Sequence, residues 1–150
     1  MNYLLDTNII SAVAPSRAER PAALVKWLDD ASEGLYLSVV TVAEIRDGIA
    51  KALREGASRK AAHLADWWDA VEHLYGARIL PFDIIAAKIA GQFIEVARGS
   101  GVAPGFADAV IAATAKANGL LVLTRNTKHF AAFGERVIDP LLGLPPLPAR

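Results

Sequence analysis

Three carboxylates that lie far apart in the sequence are the strongest candidates for chemistry. Asp6 follows the apolar run 3–5. Glu44 lies in a helical stretch after the run 35–38, and Asp108 opens another helix. In an open parallel α/β sheet, functional groups gather beyond the carboxyl ends of the strands, so neighbouring strands would bring these acids into one cleft. Carboxylates that face each other repel, and a hard divalent cation relieves that repulsion. The pattern predicts a metal site.

The composition narrows both the metal and the reaction. The chain has no cysteine, which excludes disulfides, zinc–thiolate sites and cysteine nucleophiles and fits a reducing cytosol. Oxygen ligands alone favour Mg²⁺ or Mn²⁺. Such ions activate a water for in-line attack on a phosphodiester and neutralise charge on the leaving oxygen. We therefore expect a metal-dependent nuclease.

Each acid also has a structural interpretation. Asp6 could cap a helix that begins near Asn8, and Asp108 in a first helical turn is favoured by the helix dipole. Thr41 and Glu44 have the spacing of a capping box, in which Glu44 would bond the backbone at the helix start. Only the three acids together, with their flanking residues, favour the functional interpretation.

The elements that must position these acids alternate between strand and helix. Helical patterns cover 22–31, 58–75 and a stretch from a cap at Asp83 to about Arg98. This alternation predicts an α/β fold, with a parallel sheet flanked by helices. Apolar runs of strand length recur at 3–5, 35–38, 78–80, 120–123 and 136–138.

The length and the charge of the chain limit the number of domains and the kind of partner. The 150 residues, 53% of them hydrophobic, suit one domain with a core over about 2–140 and an extended proline-rich tail, 141–150, that either docks or frays. The 16 basic residues equal the 16 acidic ones, so any polyanion contact must be local. The sequence shows neither a secretory signal nor a membrane span, and we expect a cytoplasmic protein.

Four ordered segments resemble the PIN-domain family: 3–10, 37–45, 108–115 and 123–127. Over residues 2 to about 140 the chain resembles the VapC and FitB-like toxin ribonucleases of bacterial type II toxin–antitoxin modules. The resemblance implies a single PIN-like domain with a five-stranded parallel sheet, and a Mg²⁺- or Mn²⁺-dependent ribonuclease inhibited by a cognate antitoxin. It also implies a homodimer, or a hetero-oligomer with the antitoxin.

The resemblance carries the three most regular acids of the family onto Asp6, Glu44 and Asp108, as catalytic metal ligands. The fourth acid of the family falls within 124–130, where this chain has no carboxylate. Asn126 is expected to assist catalysis by orienting water through its amide, and His129 takes a place often held by aspartate. Three acids can hold one ion, and a second would bind only with substrate phosphate.

Three polar residues next to the acids are expected to fix the orientation of the carboxylates: Thr7, Asn8 and Thr124. Ordinary turn and cap chemistry is the alternative for each of them.

Basic and aromatic residues supply candidate RNA contacts. Arg46, Arg125 and Lys128 lie beside the acidic motifs and could hold RNA phosphates, although each alone could be an ordinary surface residue. Trp67 and Trp68 could stack bases or contribute to a dimer interface, but their helical spacing with leucines places at least one of them in the core or in an interface.

Two other functions remain open at this point. A PIN-like module could bind RNA or an antitoxin without cleaving, because the fourth acid is missing, and metal titration would test that alternative. A phosphotransfer domain also carries an aspartate at a strand end. A dehalogenase-type phosphatase needs a second carboxylate where Asn8 lies, and a receiver needs an acidic cluster near the first strand. Neither phosphotransfer pattern is met.

Overall fold

Five short parallel strands form the sheet that the strand–helix alternation predicts. The computed structural model describes residues 1–149. The strand order is β3-β2-β1-β4-β5, so β1 lies at the centre, and every pairing is parallel. The predicted α/β class and five-stranded parallel sheet are confirmed. The strands are β1 Tyr3–Leu5, β2 Leu35–Ser38, β3 Ile79–Leu80, β4 Leu121–Leu123 and β5 Val137–Ile138.

Seven helices in the described part of the chain cover the sheet. The predicted bounds of α4 are correct, and the side chain of Asp83 caps α5 by accepting the backbone N–H of Ala86 at 2.9 Å. Within residues 1–149 no helix combines the length and apolar character of a membrane span. The helices are α1 Thr7–Ala12, α2 Ala22–Asp30, α3 Val39–Arg54, α4 Ser58–Tyr75, α5 Ile84–Gly99, α6 Phe106–Ala117 and α7 Thr127–Ala131.

Side chains pack in two hydrophobic layers, one on each face of the sheet. The first layer joins α1, α2 and α4 to the sheet and contains the fully buried Trp68. The second joins α5, α6 and α7 to it and contains Phe93 and Phe130. Successive residues of the central strand alternate between the layers, with Leu4 in the second and Leu5 in the first. The central strand is therefore buried on both faces.

The start of α3 corrects the capping-box interpretation of Glu44. Ser38 is the N-cap, and its hydroxyl accepts the backbone N–H of Val40 at 3.1 Å. The helix therefore begins at Val39, directly after β2, and Thr41 lies inside its first turn. Since Thr41 is not the N-cap, Glu44 does not close a capping box, and that interpretation is wrong.

The proline-rich tail docks at the amino ends of the strands. The indole N–H of Trp27 donates to the carbonyl of Pro145 at 2.9 Å, and the Tyr3 hydroxyl donates to that of Pro146 at 2.7 Å. Gly34 leaves the space that Pro148 fills, because a Cβ there would overlap the proline ring. The docked conformation is thus the one adopted by the described part of the tail; the last residue, 150, lies outside the described residues.

The hydrogen bond between Trp27 and the tail is expected to contribute to the free energy of unfolding. Trp27→Phe in the full chain leaves the buried Pro145 carbonyl without its donor, which costs about 1–3 kcal/mol of unfolding free energy. In a chain that ends at Gly143 the same substitution should cost less, because the carbonyl is already gone. Urea unfolding of the four proteins measures both costs. Equal costs in the two backgrounds would mean that the tail does not hold Trp27.

Candidate metal centre at the carboxyl edge of the sheet

Asp6 occupies the carboxyl end of the central strand and is held on both oxygens. Its backbone N–H donates to the carbonyl of Leu123 at 2.9 Å, which continues the β1–β4 pairing. Its Oδ1 accepts the backbone N–H of Thr7 at 2.7 Å, so Asp6 caps α1, as one interpretation of the sequence predicts. Its Oδ2 accepts the Thr124 hydroxyl at 2.6 Å. The side chain is buried and its orientation is fixed.

The environment of Asp6 favours a bound proton or cation. Burial raises the pKa of its carboxyl from the ordinary 3.8 to about 6, although the hydrogen bond from the Thr124 hydroxyl opposes the rise. The charges of Asp108 and Glu44 raise this pKa further, and the Thr7 backbone bond lowers it. Asp108 and Glu44 are therefore close enough for their charges to act on Asp6.

Glu44 is oriented by a pair of threonine hydroxyls. The Thr7 hydroxyl donates to Glu44 Oε1 at 2.7 Å and lies 2.8 Å from the hydroxyl of Thr41, which is fully buried. Because the Thr7 proton points to Glu44, Thr41 must donate to Thr7. Sequence reasoning named Thr7 as an orienting residue but assigned Thr41 to a capping box. A better assignment of the N-cap to Ser38 would have left the Thr41 side chain free for this role.

The Thr124 hydroxyl joins the loop after β4 to the start of α1. Besides donating to Asp6, it accepts the backbone N–H of Asn126 at 2.9 Å and the amide of Asn8 at 3.4 Å. Asn8 in turn accepts the backbone N–H of Arg125 at 3.2 Å. Asn8 and Thr124 are thus brought together with Asp6. The Asn126 side chain is exposed on the same loop.

Asp108 reaches the same edge from the second layer. It lies in the first turn of α6, half-buried, and its Oδ2 is 3.3 Å from Nδ1 of His129 on α7. Gly105, the residue before α6, is the N-cap and lies next to this carboxylate. A histidine therefore contacts the site from the segment that lacks a carboxylate.

The sequence and the fold of this chain were compared with those of known proteins. The family model described as PIN domain matches residues 3–135. The chain belongs to the PIN-domain family. It is 41% identical to the VapC ribonuclease Y4jK of Sinorhizobium fredii and to toxin FitB of Neisseria gonorrhoeae, in each case over 91% of this chain and 96% of the relative. The crystal structure of FitAcB from Neisseria gonorrhoeae superimposes with a TM-score of 0.81 at 40% identity, covering 93% of this chain and 98% of the other.

The three basic residues predicted to contact RNA are separated in this PIN domain. Arg46 is paired with Asp69 and Glu72 of α4, at 2.8 and 3.1 Å, and thereby joins α3 to α4. Arg125 and Lys128 are exposed on the segment that carries Asn126 and His129, beside the carboxylates. Arg46 is thus engaged by two acids at the surface, whereas no ion pair to Arg125 or Lys128 is found within residues 1–149.

The donor set of the PIN domain fits a hard divalent cation, although its side chains do not form a closed ligand group. Asp6, Glu44 and Asp108 offer only oxygen, and the raised pKa of Asp6 reflects burial near like charges. Within residues 1–149 no three histidine, aspartate or glutamate side chains converge closely enough to hold one ion. Glu44 is exposed and Asp108 half-buried, so packing does not fix either carboxylate as it fixes Asp6.

Proposed function

We propose that this PIN domain is a metal-dependent endoribonuclease and acts as the toxin of a toxin–antitoxin module. The observation that carries the proposal is the buried Asp6 carboxylate, whose pKa is raised by burial and by the charges of Asp108 and Glu44 at the sheet edge. The ribonuclease and toxin relatives at 41% identity support it. The printed name of the VapC relative is that of a ribonuclease, and we propose that this chain likewise acts on RNA, in the cytoplasm.

Asp6, Glu44 and Asp108 are the residues that would hold Mg²⁺ or Mn²⁺. When bound, the ion supplies activation of a water for attack on the phosphodiester and neutralisation of the leaving oxygen. The protein supplies orientation. Thr124 holds Asp6, and Thr7 with Thr41 behind it holds Glu44.

The segment after β4 faces the RNA in this proposal. The Asn126 amide is exposed there and orients the attacking water, while Arg125 and Lys128 neutralise substrate phosphates. His129 positions Asp108 through the contact of its Nδ1 with the carboxylate. The segment therefore supplies RNA contacts, one amide for water and a partner for Asp108, but no negative ligand in place of the fourth acid.

Inhibition by an antitoxin follows from the same charges. A segment of the antitoxin that inserts an arginine or lysine among Asp6, Glu44 and Asp108 would neutralise the carboxylates and displace the cation. We propose a homodimer of this chain that assembles with the antitoxin into a hetero-oligomer.

A binding module without catalysis is the second candidate, because residues 124–130 contain no carboxylate. The test is incubation of the purified full chain with a mixed pool of structured RNA in Mn²⁺, in Mg²⁺ and in chelator, with Mn²⁺ binding measured by calorimetry. Cleavage with either metal and none in chelator is the expected result. RNA binding is measured in parallel by retention of the RNA–protein complex on filters. RNA that is bound but not cleaved with either metal would establish the binding module instead.

Thr7→Val is expected to slow RNA cleavage by about 10- to 100-fold, the usual effect of losing a group that orients a metal ligand. Valine keeps the shape of threonine and the backbone bond to Asp6 but cannot donate to Glu44. Thr7→Ser keeps the hydroxyl and should retain most of the activity. Initial rates at saturating Mn²⁺ distinguish the two variants. A wild-type rate in Thr7→Val would show that Glu44 needs no such support.

A further inference from the structure

A groove on the first layer runs from the candidate metal centre to the surface of α4. Its volume is about 480 Å³, within the range of sites that bind small molecules. Its lining includes Thr7 and Glu44, two residues of the proposed catalytic centre. We call it the Trp67 groove, after the aromatic side chain that lines it. Whatever occupies this groove lies beside Glu44, which is one of the three candidate metal ligands.

The apolar part of the Trp67 groove consists of one aromatic ring and several aliphatic side chains. Trp67 is half-buried and leans on the fully buried Trp68, with ring centroids 5.8 Å apart. Ile45 and Ile49 of α3 and Leu64 of α4 line the same groove. Trp68 therefore belongs to the core, whereas Trp67 presents part of its surface to an occupant.

The charged part of the groove is mainly cationic. Arg17, which follows α1, and Lys60 of α4 are exposed and both line the groove. Arg17 donates through Nε to the carbonyl of Ser11 at 3.4 Å, which steadies the guanidinium and leaves its other N–H groups available. Among the lining residues within 1–149, Glu44 is the single acid. The chain has no net charge, so this local pair of cations is distinctive.

We propose that the Trp67 groove binds an unpaired segment of the RNA substrate, with a base against Trp67 and flanking phosphates paired with Arg17 and Lys60. This inference rests on the proposed ribonuclease function and names the form of its substrate. A single strand repeats two parts, a flat base and an anionic phosphate, and the groove offers a counterpart to each. Bases of paired RNA are stacked inside a helix, whereas unpaired bases enter pockets of this size.

Binding in the groove would position the scissile phosphate of the RNA at the candidate metal centre. A strand that lies against Trp67 and continues past Glu44 brings the next phosphates to the sheet edge, where Asp6 and Asp108 lie. Binding along the groove involves no group that changes during the reaction, so it contributes equally to the ground state and the transition state. Loss of a groove contact should raise KM and leave kcat nearly unchanged.

The test uses the full chain, a fluorescein-labelled mixed-sequence single-stranded RNA and the same RNA annealed to its complement. Fluorescence anisotropy in chelator measures affinity without cleavage, and steady-state cleavage in Mn²⁺ measures kcat and KM. We expect tighter binding of the single strand. Trp67→Leu keeps apolar volume but removes the ring, and it should weaken binding by about 5- to 150-fold, while Trp67→Phe stays close to wild type.

The cations are tested by the salt dependence of binding. Arg17→Ala combined with Lys60→Ala should reduce the slope of log affinity against log salt by about 1.4, because each phosphate contact to a single strand contributes about 0.7. The matched control is Lys88→Ala combined with Arg98→Ala, which removes two exposed cations from α5 on the opposite layer. The control should leave the slope unchanged.

The outcomes separate this inference from the function on which it rests. A wild type that cleaves RNA, with groove variants that bind and cleave normally, overturns the groove inference alone and leaves the groove to a protein segment. A wild type that neither binds nor cleaves RNA overturns both. Weaker binding that is confined to the groove variants, with an unchanged kcat, supports the inference. Circular dichroism of each variant must match the wild type for its loss of affinity to count.

Discussion

Replacing Asp6 or Asp108 with asparagine is expected to lower the rate of RNA cleavage in Mn²⁺ by more than about 100-fold. Changing a residue that only orients a metal ligand typically costs 10- to 100-fold. These two carboxylates are the proposed ligands themselves, so their loss should cost more. Asparagine keeps the size of the side chain and one oxygen but removes the negative charge that attracts the ion. Cleavage rates together with calorimetric Mn²⁺ titrations measure the effect.

The matched control for this prediction is Asp66→Asn. Asp66 is exposed on α4, away from the sheet edge, and its substitution should leave both cleavage and Mn²⁺ binding unchanged. Full activity in Asp108→Asn would remove that residue from the ligand set. Unchanged cleavage in all three variants would mean that the activity belongs to a contaminating nuclease, and equal losses in all three would mean that the assay reports something other than this site.

The Asp6→Asn variant is also expected to be more stable than the wild type when no metal is bound, by about 3 kcal/mol at neutral pH. Because the pKa of Asp6 rises from 3.8 to about 6 on folding, the folded state binds this proton more tightly than the unfolded state. Protonated Asp6 therefore stabilises the folded state. This contribution is fully present below pH 3.8 and is lost as the pH rises through about 6. Asparagine carries no charge at any pH, so its fold does not lose this free energy.

Thermal and urea unfolding in chelator, from about pH 4 to pH 8, should show the difference growing with pH. Near pH 4 the two proteins should be similar, and above the pKa of Asp6 the melting temperatures should differ by about 6–12 °C. Mn²⁺ should then stabilise the wild type more than the variant, since a ligand stabilises the state that binds it. The exposed Asp66→Asn control should stay within about 0.5 kcal/mol. Equal stability of wild type and Asp6→Asn at pH 8 would contradict the prediction.

The parts of the fold that sequence reasoning predicted correctly are those with a local cause. The bounds of β1 and α4 follow from a short apolar run and from apolar residues at helical spacing. The proximity of Asp6 and Thr124 follows from the topology, because each comes directly after a central strand of a parallel sheet. A topological rule was therefore sufficient to collect the acids at one edge.

The parts that were missed depend on contacts between distant segments. Residue 78 was predicted to open β3, but its backbone lies in a 3-10 turn, and its guanidinium donates to the carbonyls of Ser32 and Leu35. The docking of the tail depends on the Trp27–Pro145 bond, which joins residues 118 positions apart. Periodicity within a window of sequence contains no information on such partners.

The candidate site shows the same division. Asp6, Glu44 and Asp108 carry recognisable flanking residues, whereas the presence of Arg17 and Lys60 in one groove has no local signature. Thr41 was noticed for its spacing to Glu44 and given the wrong role, because the choice of helix cap depends on how β2 enters α3.

The division of the carboxylates between the two hydrophobic layers has a dynamic consequence. Asp6 and Glu44 are positioned by contacts among β1, α1 and α3, whereas Asp108 is carried by α6 in the other layer. An ion bound by all three carboxylates would link the two layers at the sheet edge. Its release would allow each layer to fluctuate independently of the other. Amide hydrogen exchange in the first turn of α6 should slow when Mn²⁺ is added. If the proposed ion is bound, its removal by chelator should therefore weaken the contact between the two layers as well as stop cleavage.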